Sequence, residues 1–210
     1  MKKLVLLLWL VTSSVLSFEL SPRDKEIVEK SEHYALISKL YNQGVIDSPL
    51  RVYVESDETT YRLWQNKSRL GYSEISNPNC QLILGSKVRP CKSNRNEIVI
   101  DQDGNAIIVN LRSDKNFDFN LLRSIGSIKV LMIKLSGQRP GYEKIDLSFL
   151  SNLVHLELNS MSTQVMILPV SNNLEVIKSV TFKANSIDNI DNKDKLVYFE
   201  MYGELNGLEK

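Results

Sequence analysis

The chain holds two histidines, His33 and His155, and two cysteines, Cys80 and Cys91. These are the first places to look for acid–base, nucleophilic or metal chemistry. Neither histidine has a second His or a Cys at metal-ligand spacing. Serines are plentiful, but no G-x-S-x-G occurs, and neither does a G-x-G-x-x-G or G-x-x-x-x-G-K phosphate loop. Asp188, Asp191 and Asp194, interleaved with Asn189 and Asn192, offer oxygen ligands of the kind calcium takes. Their spacing lacks the Gly and terminal Glu of an EF-hand loop, so they read as a solvated bend. No catalytic residue, metal site or cofactor is expected, and each histidine reads as a surface or interface residue.

The cysteines depend on the compartment. Met1-Lys2-Lys3 is a short positive region, and Leu4 to Leu16 is an apolar run. Val15 and Ser17 are small enough to precede a cut before Phe18. Residues 1–17 therefore read as a secretory signal peptide of bacterial type, and the mature protein as periplasmic or secreted. No later segment is apolar enough to span a membrane. In an oxidising compartment, Cys80 and Cys91 pair most simply as one disulfide around the loop QLILGSKVRP. They lack the C-x-x-C spacing of a reactive dithiol. Lys2 and Lys3 account for two of the 26 basic residues, against 25 acidic ones, so the mature chain is nearly neutral. That excludes the basic footprint of a nucleic-acid binder.

Three kinds of texture follow the leader. Ser21 to Gly44 predicts a helix. Ser21 caps it and Pro22 takes its first position. Ile27, Val28, Tyr34, Ile37, Leu40 and Tyr41 recur at helical spacing, and Gly44 stops it. Such a helix is suited to cover the first coil of a repeat array. Residues 50–100 alternate strand-like runs with turn-prone pieces, and Asp103-Gly104 between EIVID and AIIVNL signals a hairpin. Residues 18–104 thus read as a helix and a disulfide-stapled β-rich segment. That segment is either a small subdomain or a set of irregular first coils.

From residue 106 the chain is periodic. Its apolar triplets are Ala106/Val109/Leu111, Ile128/Leu131/Ile133, Leu153/Leu156/Leu158, Ile177/Val180/Phe182 and Leu196/Phe199/Met201. Polar or small pairs such as Ser151-Asn152 and Asn172-Asn173 precede them. Segments such as KIDLSFLSN return between them with apolar residues for the interior. The stretch Ile177 to Ile187 fits L-x-x-L-x-L-x-x-N-x-L, with Asn185 in the Asn position. The other coils hold Asp114, Ser136, Met161 and Glu204 there.

Residues 105–203, within a solenoid segment expected over 105–210, resemble the leucine-rich repeat superfamily. The resemblance implies an α/β solenoid, a short leucine-rich-repeat-like array preceded by the N-terminal helix and the β-rich segment. Alternation along each strand then turns the remaining side chains to a concave sheet face. Arg112, Met132, Lys134, His155, Glu157, Asn159, Lys183, Tyr198, Glu200 and Tyr202 are the candidate contacts on it. Aromatic residues, Met and Arg favour protein interfaces. The expected function is therefore protein recognition without catalysis, for example by a periplasmic inhibitor or immunity-type binder. The alternative is a carbohydrate- or envelope-binding module that stacks sugars on Tyr61, Trp64 and Tyr72.

Overall fold

A computed structural model describes residues 20–46, 48, 50–55, 59–62, 81–84, 87–90, 96–136, 141–179, 182–191, 193–196 and 198–201. Residues 1–17, read above as a signal peptide, and Cys80, Cys91, Trp64, Tyr72 and Tyr202 lie outside the described residues.

The single helix expected over residues 21–44 is two. α1 spans Pro22–Lys30 and α2 spans Glu32–Asn42, and Ser31 is the joint. Ser31 takes an extended conformation (φ −71°, ψ 112°) and its hydroxyl accepts from the Tyr34 N–H at 3.0 Å. A serine competes with the helix for backbone groups, so it breaks a helix readily where it can cap the next one. Apolar periodicity runs through the joint and concealed it. Ser21 caps α1 as expected, accepting from Asp24 N at 3.1 Å. Val28, Ile37 and Leu40 join the same apolar cluster as Ile98, Ile100 and Ala106, so the helices pack on the start of the array.

The strands follow in the order β1 (Arg51–Val54), β2 (Thr59–Arg62), β3 (Gln81–Leu84), β4 (Lys87–Pro90), β5 (Glu97–Ile100) and β6 (Ala106–Ser113). Then come β7 (Val130–Leu135), β8 (Gly141–Asp146), β9 (His155–Asn159), β10 (Ser162–Ile167), β11 (Val176–Ser179), β12 (Lys183–Asp188) and β13 (Tyr198–Met201). A seven-stranded sheet runs β1-β5-β6-β7-β9-β11-β13, parallel from β6 onward. β8, β10 and β12 form a second parallel sheet of three strands. The three coils from β7 to β12 each contribute one strand to each sheet, giving a β-solenoid of about three turns, and the chain after β6 returns through a 3-10 turn at Phe119–Leu122. β2, β3 and β4 make a separate antiparallel sheet between β1 and β5 in the chain. β1 and β5 themselves extend the long sheet, through the β5–β6 hairpin around Gly104.

The ladder sets the repeat frame. Leu131 pairs with Leu156, and Leu156 with Ile177, steps of 25 and 21 residues. Ile177 is therefore the counterpart of Leu156. Leu174 takes the place of Leu153, Ser179 that of Leu158 and Phe182 that of Met161. The sequence reading set the coil at Ile177 three residues out of frame. Ser179 interrupts its triplet, and Val180 and Phe182 supply the same spacing further on. Asn185 is consequently no bend asparagine: it lies in β12, and its amide donates to Gln164 of the neighbouring coil. In the corrected frame, L-x-x-L-x-L positions fill the interior. Ile128, Leu131, Ile133, Leu153, Leu156, Leu158, Leu174 and Ile177 are all buried.

The polar residues before each triplet have a structural task. Ser127 Oγ donates to Ala106 O at 2.7 Å, Asn152 Nδ2 to Gly126 O at 3.1 Å and Asn173 Nδ2 to Ser151 O at 3.0 Å. Each reaches the backbone of the preceding coil at a corner. The carbonyls of Gly126 and Ser151, which lie outside the strands, are satisfied this way.

Candidate functional site

The face nominated for recognition can be assembled rung by rung. One row crosses the long sheet as Arg51, Glu97, Asn110, Met132, Glu157 and Lys178. The row beside it runs Tyr53, Val99, Ile108, Val130, His155 and Val176. Arg112, Lys134 and Asn159 lie in the next row along. The ladder thus brings Arg112, Met132, Lys134, His155, Glu157 and Asn159 together on one face.

That face is not open to solvent. His155 is 2 % exposed, Glu157 6 % and Asn159 3 %, and Met132 and Asn110 are wholly buried. Arg112 and Lys134 are half-buried. The expectation of an exposed concave face is corrected. The reason lies in the apolar half of the same face. Tyr53, Val99, Ile108, Val130 and Met132 form a second hydrophobic cluster there. Strands buried on both faces carry apolar residues on both, as parallel sheets commonly do. Lys183 is elsewhere: it opens β12 in the second sheet and is exposed. Tyr198 and Glu200 contribute backbone to β13, and their side chains lie outside the described ones.

His155 is the chemically unusual member of this face. Neither ring nitrogen has a hydrogen-bond partner. Burial, helped by the positive charge of Lys178, pulls its pKa down to about 4. It is therefore a neutral imidazole near pH 7 and a weak base there. General bases work best with a pKa close to the operating pH. Beside it, Asn159 Nδ2 donates to Glu157 Oε1 at 2.7 Å. Among the described residues no three His, Cys, Asp or Glu side chains gather to hold a metal. Asp188, Asp191 and Asp194 are exposed, and Asp194 accepts from the Asn172 amide at 3.2 Å.

Three residues have roles that the sequence reading did not assign to them. His33 is no bystander: its Nδ1 accepts from the Ala106 N–H at 3.0 Å, tying α2 to the start of β6. Lys193 is buried and donates to the carbonyls of Pro169 at 2.5 Å and Ser171 at 3.0 Å. Desolvation lowers its pKa below the usual lysine value. Phe199 pairs with Ile177 and so holds an inward position, yet it is 38 % exposed where Ile177 is 2 %. Only the last triplet's position hinted at Phe199. Nothing in the spacing marks Lys193.

No protein-family model, curated protein or solved structure matches the chain. Among the described residues no helix is long and apolar enough to cross a membrane.

Proposed function

We propose that the chain is an exported recognition module of the leucine-rich-repeat kind, without chemistry of its own, that binds a protein through the last edge of its long sheet. The leader over residues 1–17 supports export. The recurrence of L-x-x-L-x-L positions in the ladder frame supports the repeat class. An inhibitor or immunity-type role fits such a binder.

The observation that carries this reading is Phe199. β13 is the terminal strand of the sheet among the described residues, and Phe199 exposes at the coil end what inner coils bury. An edge strand offers a row of backbone donors and acceptors to an incoming strand. Apolar surface beside that row gives the contact energy as well as direction.

The test is recovery of a partner from envelope extracts by the tagged chain. Phe199→Glu is expected to abolish recovery, because a charge at that position opposes strand addition. Lys144→Glu, on the exposed side of β8, is expected to keep it. Partner retained by a folded Phe199→Glu protein would rule the edge out.

A further inference from the structure

We infer that the antiparallel sheet β2–β4 is a strap docked on the outer face of the long sheet, and that it lifts as a unit without unfolding the solenoid beneath. The inference is independent of the edge contact proposed above.

The chain leaves the long sheet at Val54, the end of β1, and re-enters it at Glu97, the start of β5. β1 and β5 are parallel neighbours, with Arg51 opposite Glu97 and Val54 opposite Ile100. No hairpin can join a parallel pair, so the connection must travel back along one face of the sheet. About a dozen residues suffice for such a return. This one carries the three strands of a sheet of its own.

Two observations choose the face. Val52, Val54, Ile98 and Ile100 pack in one cluster with Val28, Ile37 and Leu40 of the helices, so the inner side is already occupied. Tyr53 and Val99, which alternate with them along the strands, belong instead to the outer cluster with Ile108, Val130 and Met132. The hand of the chain agrees. From β7 to β9 and from β9 to β11 the connection passes through β8 and β10, whose Ile145 and Met166 lie in the inner cluster. β5 is antiparallel to β6, so β1 and β5 point the opposite way to the coils. The step from β1 to β5 nevertheless runs in the same direction along the sheet. A crossover of unchanged hand from reversed strands lies on the opposite face, and parallel crossovers keep one hand in about 98 % of cases.

The polarity of that face explains why the cover is separable. Val130 and Met132 are fully buried on it, and so nearly are Glu97, Asn110, His155, Glu157 and Asn159. The inward positions of the same strands, such as Ile98, Val109, Leu131 and Leu156, are apolar. Burying carboxylate, amide and imidazole groups costs free energy that a purely apolar contact does not. Interfaces between units of one chain are more polar than cores for this reason, and they open more readily. The composition that suggests a recognition face in the sequence is thus that of a docking surface occupied from within.

Two measurements on the full chain test the strap. By NMR, the methyl groups of Val130 and Met132 are expected to show NOEs to residues of β2–β4. NOEs to none of these strands would overturn the docking, whether the methyls then meet residues 1–19 or solvent alone. Leu82→Pro probes the lifting. Leu82 lies in the central strand β3, opposite Tyr61 and Arg89, where a proline removes a ladder donor. Hydrogen peroxide should then oxidise Met132 about tenfold faster than in the unmutated chain. Met161 and Met166, in the inner cluster, should keep their slow rate. An unchanged Met132 rate, or all three methionines oxidising together, would overturn a strap that lifts on its own.

Discussion

Ile177 stands opposite Leu156 in the parallel ladder between β9 and β11, which places Ser179 where the preceding coil has Leu158. Ser179 is buried and its hydroxyl finds no hydrogen-bond partner. Around it are Leu156, Leu158, Met166, Ile177 and Phe182. A polar group in such a place costs free energy without return. Ser179→Ala is expected to raise stability by about 1 kcal/mol, read as a higher urea midpoint at unchanged slope. A lower midpoint would show that the hydroxyl has a bonding role.

His155 is expected to make the fold acid-labile. Its folded pKa, about 4, lies below the ordinary histidine value of 6.5. Above the ordinary value both states are neutral and stability does not respond to pH. Between the two values the unfolded chain binds a proton that the folded chain refuses, so stability falls as pH falls. The loss is about 1.4 kcal/mol per pH unit and levels off below the folded value. His155→Phe is expected to flatten that part of the stability profile, measured by urea melts at a series of pH values. An unchanged slope would place the acid sensitivity on other groups.

Asn173 ties one corner to Ser151 of the coil before it, and Asn152 ties the next corner to Gly126. Both side chains are at the surface, where water competes for the same carbonyls. Each Asn→Ala change is expected to cost about 0.5–1 kcal/mol. The two ties are neighbours, since Asn173 binds the carbonyl of the residue before Asn152, so the effects are expected to couple rather than add. Thermal unfolding of the single and double variants checks this, and a double variant that loses the plain sum of the two single losses would contradict coupled ties.

Gln81 and Pro90 are register partners at the open end of the β3–β4 hairpin. Cys80 and Cys91 are the next residue on each side. Protein recovered from an oxidising compartment is expected to be about 2 Da lighter than after reduction, the two hydrogens lost on forming one disulfide. It should also resist thiol alkylation until reduced. Two thiols that alkylate freely in the untreated protein would exclude the bond.

The coil interiors were legible because burial selects for apolar residues at fixed spacing. Ala106, Val109, Leu111, Ile128, Leu131 and Ile133 sit where their triplets put them. The returning segment was legible for the same reason, and Ile145, Leu147 and Leu150 fill the core. The frame at Ile177 was not, because one serine at an inward site makes a neighbouring register look better. The covered face was obscured by reading alternation as inside against outside. Val130 and Met132 on the supposed outer side were the signal that both sides are buried. The joint at Ser31 escaped because helical periodicity carries no information about a one-residue break. His33 as a hydrogen-bond acceptor depends on a contact 73 residues away in sequence, which local pattern does not reveal.

The corner ties and strand ladders join each coil to the one before it and the one after. Cohesion in such an array is a nearest-neighbour quantity, the sum of one coil's own stability and one interface. Assembly can therefore begin at the β5–β6 hairpin, whose two strands are close in sequence, and advance a coil at a time. Pulled from its C-terminal side, the array should yield as a zipper does. Lys193, bound to Pro169 and Ser171 of the previous coil, is the first tooth to resist once β13 has come free.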